Sequence, residues 1–289
     1  MISRATAFPI APLQFTLRSA GIVFPGFSGS LWHGGFGEML KRQFRHAYDL
    51  LYGGDNEARL YAILPPVAHE LSEGAIFDLR ITLFGPATIH ALACTQAIAK
   101  LGERGLDYAG CYRLEAASTI GPRGPVPFYN VDEGLIAPPE AFDLGDYRWE
   151  SKEIRRLRVR LLTPLRTKEG NELLRDPPTY EQLVHRLIGR IEQLAHVGGM
   201  PSPLPKTEHA PLLAKAKDVL LVDNALCRSD LSRRSGRTRQ QMSFGGFMGE
   251  LLYAGDFEQT LPWLAAGRWL QLGGKTAFGF GGIEVEYAE

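Results

Sequence analysis

Two strands far apart in the chain carry the same pattern, and this repetition limits the possible folds more than any other feature. LQFTLRSA (13–20) and RLRVRLLTPLRT (156–167) both alternate apolar with polar residues. In a strand this puts one row of side chains inside and the other outside. Each strand opens a run of helix-like and strand-like segments. After the first, LWHGGFGEMLKRQFRHAYDLLY (31–52) reads as one helix, with Phe36, Met39, Leu40 and Phe44 at helical spacing. Glu38 stands early in it and Lys41, Arg42, Arg45 and His46 late, as the helix dipole favours. A strand (76–85), a glycine-ended helix (87–105) and a strand (108–118) follow. After the second come a helix (178–199), a strand (243–256), a helix (257–274) and the closing strand GGIEVEYAE.

Strand, helix, strand, helix, strand is the order of a ferredoxin-like α+β unit, and the two halves are similar. Between them, residues 120–139 are rich in glycine and proline, a linker or hairpin loop. The boundary is placed near Gly145, giving domains 1–145 and 146–289. The apolar fraction of 45% in 289 residues is enough for two cores.

Lys plus Arg and Asp plus Glu both total 32, so net charge says nothing about partners and its distribution must be read instead. Arg156, Arg158 and Arg160 alternate with Leu157, Val159 and Leu161, an arginine row on one strand face. A solvated outer face explains that row equally well. RSDLSRRSGRTRQQ (228–241) holds Arg228, Arg233, Arg234, Arg237 and Arg239 against Asp230 alone and reads as an exposed loop. The third cluster is Lys41, Arg42, Arg45 and His46, which dipole capping accounts for without a ligand. Together the three favour a phosphate backbone as partner.

The segment QLGGKTAFGFGG (271–282) concentrates five glycines before the last strand. Its Gly-Lys-Thr does not make a phosphate-binding P-loop: the glycine required five residues before Gly274 is Trp269, and the order runs helix to strand. Bare backbone that approaches phosphates or bases is the better account.

Cys94, Cys111 and Cys227 are too scattered for a disulfide framework or a metal site, and a reducing, cytoplasmic setting is expected. No signal-peptide-like or membrane-spanning run is read. HExxH, a convincing DxD, GxSxG and a Cys/His cluster are all missing from the sequence. What remains is general acid–base chemistry by histidine on a substrate bearing its own nucleophile, such as the 2′-hydroxyl of RNA. His46 and His33, each close to basic residues, are the candidates, and no cofactor or metal is expected.

At this point the residues carry a resemblance. GGFMGELLYAGDFEQTLPWLAAGRWLQLGGKTAFGFGGIEVEY (245–287) resembles the carboxyl-terminal region of the Cas6 family of CRISPR repeat endoribonucleases, within the RAMP superfamily. Gly274, Lys275, Phe278, Gly279 and Gly281 carry the signature glycine loop. The stretch from RLRVRLLTPLRT through the helix at 178–199, and FPGFSGSLWHGGFGEMLKRQF near the amino terminus, are also similar to the family.

The resemblance implies two tandem ferredoxin-like (RRM-like) domains and metal-independent cleavage of precursor CRISPR RNA within the repeat, leaving a 5′-hydroxyl. It implies repeat RNA and other Cas proteins of an effector complex as partners, with no membrane. By position it assigns catalysis to His46, with Lys41, Arg42 and Arg45 around the scissile phosphate and His33 as second candidate. His33 stands where relatives are expected to carry arginine. RNA contacts are assigned to Arg156, Arg158, Arg160, Arg233, Arg234, Arg237, Arg239, Gly274, Lys275, Gly279 and Gly281. A non-cleaving RNA-binding subunit of the same fold remains open, as does an α+β protein that binds a small phosphorylated ligand.

Overall fold

The computed structural model describes residues 7–24, 26–53, 58–147, 154–169, 172–229, 232–234, 241–243 and 245–288. The first unit contains β1 (Pro9–Ser19), α1 (Gly29–Gln43), α2 (Arg45–Tyr52), β2 (Tyr61–Leu64), β3 (Ile76–Phe84), α3 (Ala91–Arg104), β4 (Tyr112–Gly121) and β5 (Gly124–Asn130). Its main strands lie in the order β2-β3-β1-β4-β5, all antiparallel. The second contains β6 (Arg156–Leu165), α4 (Tyr180–Val197), α5 (Lys206–Lys217), β7 (Leu220–Ser229), β8 (Gly246–Ala254), α6 (Leu261–Leu270) and β9 (Ile283–Tyr287). Its sheet runs β7-β8-β6-β9, again antiparallel throughout. In both units the first strand is central, flanked by the third and the fourth, with the second strand beyond the third; in the first unit β5 adds a further strand outside β4. This is the ferredoxin-like arrangement, made twice.

Alternation decides which face of each sheet is covered. In β1, Leu13, Phe15 and Leu17 are buried while Gln14 and Thr16 are half-exposed and Arg18 is exposed. Trp32, Phe36, Met39 and Leu40 of α1, with Ala97, Ile98 and Leu101 of α3, supply the buried helical layer. In β6, Leu157, Val159 and Leu161 are buried, as are Leu183, Leu187, Ile191 and Leu194 of α4. Thr179 and Gln182 close a capping box at the start of α4, which satisfies the amides of both residues.

Four features depart from the sequence reading. The expected helix 31–52 is two helices, broken at Phe44, whose φ of −134° and ψ of 62° leave the helical region. The short strand β2, buried and uniformly apolar, has no alternation to reveal it. Helix α5 and strand β7 occupy a stretch that gave no signal. Helix α6 stops at Leu270, leaving residues 271–282 as a glycine loop with one 3-10 turn at Thr276–Phe278.

Both units share one continuous hydrophobic cluster. Arg190 of α4, buried, donates from Nε to the Leu270 carbonyl at 3.3 Å and lies 5.5 Å from the Phe84 ring of the first unit. Burial pulls its pKa down to about 9. Gln271 donates from Nε2 to the Ile63 carbonyl of β2 at 2.8 Å. The glycine loop is therefore part of the seam between the units, and it ends on the helix that bears His33.

Candidate active site

His33 lies on the second turn of α1 and is half-buried. Four partners from three parts of the chain surround it. The Phe278 ring stacks on the imidazole with centroids 3.8 Å apart. Nδ1 is 3.2 Å from the Ala277 carbonyl oxygen and 2.8 Å from the Tyr61 hydroxyl. Tyr52, at the end of α2, donates to the backbone carbonyl of His33 at 2.7 Å, and its ring centroid is 5.0 Å from the imidazole. Tyr52 and Tyr61 also share a hydrogen bond, and burial raises the pKa of both hydroxyls far above the usual value.

This network fixes the imidazole tautomer. The Ala277 carbonyl accepts only, so a hydrogen bond there requires the proton on Nδ1. The Tyr52 hydroxyl proton is committed to the His33 carbonyl and the Tyr61 proton to Tyr52, which leaves the Tyr61 oxygen to accept from Nδ1 as well. The neutral ring then carries its lone pair on Nε2. A histidine so oriented, with two neutral tyrosines behind it, has the chemistry of a general base.

Close packing forces glycine at two points around this ring. At Gly29, in the first turn of α1, a Cβ would run into the carbonyl oxygen of Phe278, so only glycine lets the loop lie on the helix. At Gly281 φ is +74° and a Cβ would collide with the Leu272 carbonyl oxygen. Gly279 abuts Pro65 and Gly282 abuts Leu64, both in the first unit. Phe280 is fully buried, 4.9 Å from the Phe27 ring. Gly279 and Gly282 thus serve the contact between the units, and Gly281 the tight path of the loop itself. Gly274 differs, since nothing stands within 4 Å of a Cβ there. Beside it Lys275, exposed and left-handed at φ +67°, holds Nζ 5.5 Å from the Phe278 ring.

His46, the first candidate from sequence, is exposed on the opening turn of α2. The partial burial of His90, and after it the neighbouring His46, hold the His90 pKa below the ordinary histidine range. Arg42 pairs with Glu38 at 2.6 Å, Arg45 with Asp49 at 2.9 Å, and Arg104 also meets Glu38. Lys41 and Arg45 stand 5.9 and 5.6 Å from the Tyr48 ring, which stacks on Tyr52 at 5.3 Å. The basic cluster therefore adjoins the His33 network through Tyr48, whereas His46 belongs to the other side, beside His90.

The arginine row of β6 is met by carboxylates. Arg160 pairs with Glu250 at 3.1 Å, Glu286 at 3.3 Å and Glu284 at 3.7 Å, and Arg158 reaches Glu250 at 3.5 Å. These carboxylates raise the already high pKa of Arg160. Arg156 completes the same face. Arg233 and Arg234 lie in a short hairpin, Ser232–Arg234 with Gln241–Ser243. Arg237 and Arg239 fall outside the described residues. Among the described residues no group of three or more His, Cys, Asp or Glu side chains is placed to hold a metal ion, and no helix is long and apolar enough to cross a membrane.

Tyr52 and Tyr61 were not singled out from the sequence. Tyr52 looked like the end of an amphipathic helix, and Tyr61 sits in the unrecognised strand β2.

Residues 159–283, from β6 to the start of β9, match the family model for CRISPR-associated endoribonuclease Cas6. The match covers less than half of the chain and makes its second unit similar to the Cas6 family. Solved Cas6 structures share the whole fold. Thermus thermophilus Cas6 superposes with a TM-score of 0.63 at 16% identity, over 97% of this chain and 99% of that one. A Cas6 product complex gives 0.62 at 17% identity, over 95% of this chain and all of that one. A chain of a partial Cas6-RT-Cas1–Cas2 complex gives 0.66 at 14% identity, covering all of this chain and 47% of that one. Identities this low establish the fold alone. Comparison with the curated proteins gives no match. The Cas6 match spans the glycine loop, the segment that packs on His33.

Proposed function

We propose that this protein is a Cas6-type endoribonuclease that cuts precursor CRISPR RNA within the repeat without a metal ion, and that His33 rather than His46 carries the chemistry. The observation that supports this most is the stacking of the glycine loop's Phe278 on His33, with Ala277 and Tyr61 both at Nδ1. The part of the chain that matches the family thereby positions a histidine of the other half.

In this reading Nε2 of His33 takes the proton from a ribose 2′-hydroxyl, whose oxygen attacks the adjacent phosphorus. The P–O5′ bond breaks, giving a 2′,3′-cyclic phosphate and a 5′-hydroxyl, and the leaving oxygen takes up a proton. Lys275, with Nζ 5.5 Å from the Phe278 ring that stacks on His33, is the cation of the loop assigned to the extra negative charge of the pentacoordinate phosphate, with Lys41 and Arg45 beside Tyr48 as further candidates. Arg233 and Arg234 are further candidates for contact with a bound repeat. Solved Cas6 structures include product and substrate-mimic complexes, which agrees with repeat RNA as ligand. A Cas6 joined with Cas1 and Cas2 in a complex agrees with other Cas proteins as partners.

The test is incubation of transcripts of the host's own CRISPR repeats with the protein, with and without EDTA, followed by end mapping. A single cut with a new 5′-hydroxyl end in EDTA is the expected result. High-affinity binding with no new ends in any buffer would favour the non-cleaving subunit instead.

A further inference from the structure

A second cationic feature lies away from His33, in a pocket of about 440 Å³ between the two units. Arg80 of β3 and Gln14 of β1 line it from the first unit, and Arg268 and Trp269 of α6 from the second. The β4–β5 hairpin at 121–125, mostly glycine and proline, forms a wall with no carboxylate. The guanidinium groups of Arg80 and Arg268 stand 5.2 and 5.0 Å from the same indole, that of Trp269, itself buried. Nε and Nη1 of Arg80 are sealed from solvent and have no hydrogen-bond partner among the described residues.

Two like charges set against one indole, one of them largely buried, repel each other, and an anion between them would relieve the cost. The nearest carboxylates are engaged elsewhere. Asp78 accepts from Gln14 and Thr16 at 3.1 Å each, and Glu284 pairs with Arg160. Burial, and then Arg268, lower the Arg80 pKa to about 10, so Arg80 is still charged at neutral pH. A phosphate spreads its charge over several oxygens and can accept at once from Nη2 of Arg80, which is not sealed, and from the exposed Arg268 guanidinium, which a single carboxylate does less well. The volume is in the range of pockets that hold nucleotide-sized groups, roughly 300–1,000 Å³.

We infer that the pocket bounded by Arg80, Arg268 and Trp269 is a phosphate-binding subsite, distinct from the His33 site. The phosphate is either a phosphodiester of a single-stranded RNA segment or that of a free nucleotide. The RNA source rests on the RNA-processing reading, while the free-phosphate source does not.

The experiment uses the full chain and the variants Arg268→Gln, at an exposed position, and Arg80→Gln. Probes are a labelled unstructured oligouridylate, AMP and inorganic phosphate, with cleavage of saturating repeat RNA and melting temperature measured alongside. Each variant is expected to weaken oligouridylate binding about tenfold and to flatten the log-affinity against log-salt slope by about 0.7, the loss of one phosphate contact. Cleavage at saturation is expected to be unchanged, and Arg80→Gln to melt no lower than wild type because an unpaired buried charge is removed. Binding of AMP or phosphate by wild type alone would support the same site with a free ligand. Wild-type affinity of both variants for all three probes would overturn the inference, as would a lowered melting temperature in Arg80→Gln with unaltered binding by Arg268→Gln. A protein that cuts no repeat RNA but still loses oligouridylate affinity in the variants would refute the processing reading and leave this subsite standing.

Discussion

At the scale of single residues, the difference between His33 and His46 is one of company. His46 is an exposed side chain at the start of a short helix, and His33 is held by a stacked ring, a carbonyl and two buried tyrosines. Tyr61→Phe removes the hydroxyl at Nδ1 but keeps the Ala277 carbonyl, so the tautomer is weakened rather than lost. Its single-turnover cleavage rate is expected to fall about tenfold, a fraction of the ~10²–10⁴ that a general base supplies. Binding of repeat RNA should not change, as a gel-shift titration would show. Nearby basic residues pointed to both histidines, and the family resemblance put His46 first by its position, but both signals are local in the chain. The decisive contacts are not local: Ala277 comes from a loop far along the chain, and Tyr61 from a strand too short and uniformly apolar to be recognised.

At the scale of elements, the glycine loop acts as a clasp more than as a bare ligand surface. Gly281→Ala forces a Cβ against the Leu272 carbonyl at a left-handed φ, and is expected to cost about 3 kcal/mol in chemical denaturation and to abolish cleavage. Gly274→Ala, in open space, is expected to leave stability within about 0.5 kcal/mol. Equal loss in both variants would contradict the clasp. The arginine row of β6 gives the opposite lesson. Alternation correctly placed Arg156, Arg158 and Arg160 on one outer face, but sequence alone could not show Glu250, Glu284 and Glu286 arriving on the neighbouring strands. Arg158→Gln is therefore expected to leave affinity for repeat RNA unchanged in filter binding. Strands with a covered face and helices with an apolar stripe were legible. Helix α5, interrupted by Pro211, and β7, exposed along most of its length, were not, because neither has a strong amphipathic pattern.

At the scale of the whole molecule, two ferredoxin-like units share one core, so thermal unfolding monitored by far-ultraviolet circular dichroism and by tryptophan fluorescence is expected to give a single coincident transition. High pH tests the same core. Burial raises the pKa of Tyr52, Tyr61, Tyr112, Tyr147, Tyr180 and Tyr253, so above pH 10 the unfolded chain releases protons that the folded chain keeps. Stability is lost over that range. Arg80 and Arg190, lowered to about 10 and about 9, act in the reverse sense, since there the unfolded chain binds the extra protons. Six tyrosines outweigh two arginines, and the net expectation is a steep fall in stability above pH 10, with these six phenolates appearing together on unfolding in an ultraviolet titration. The two-unit architecture was legible because both halves repeat one pattern. Their mutual placement was not, since it rests on Gln271 and Arg190, which look unremarkable in the sequence, and on a glycine loop whose contact with the first unit no local pattern reveals.

The central claim is that catalysis belongs to the histidine clasped between the units. Its most direct measurement is the single-turnover cleavage rate of cognate repeat RNA by wild type, His33→Ala and His46→Ala at saturating protein. The account predicts a loss of at least about 10²-fold for His33→Ala with RNA binding intact, and a near wild-type rate for His46→Ala. Undiminished cutting by His33→Ala, or its loss in His46→Ala alone, would contradict it.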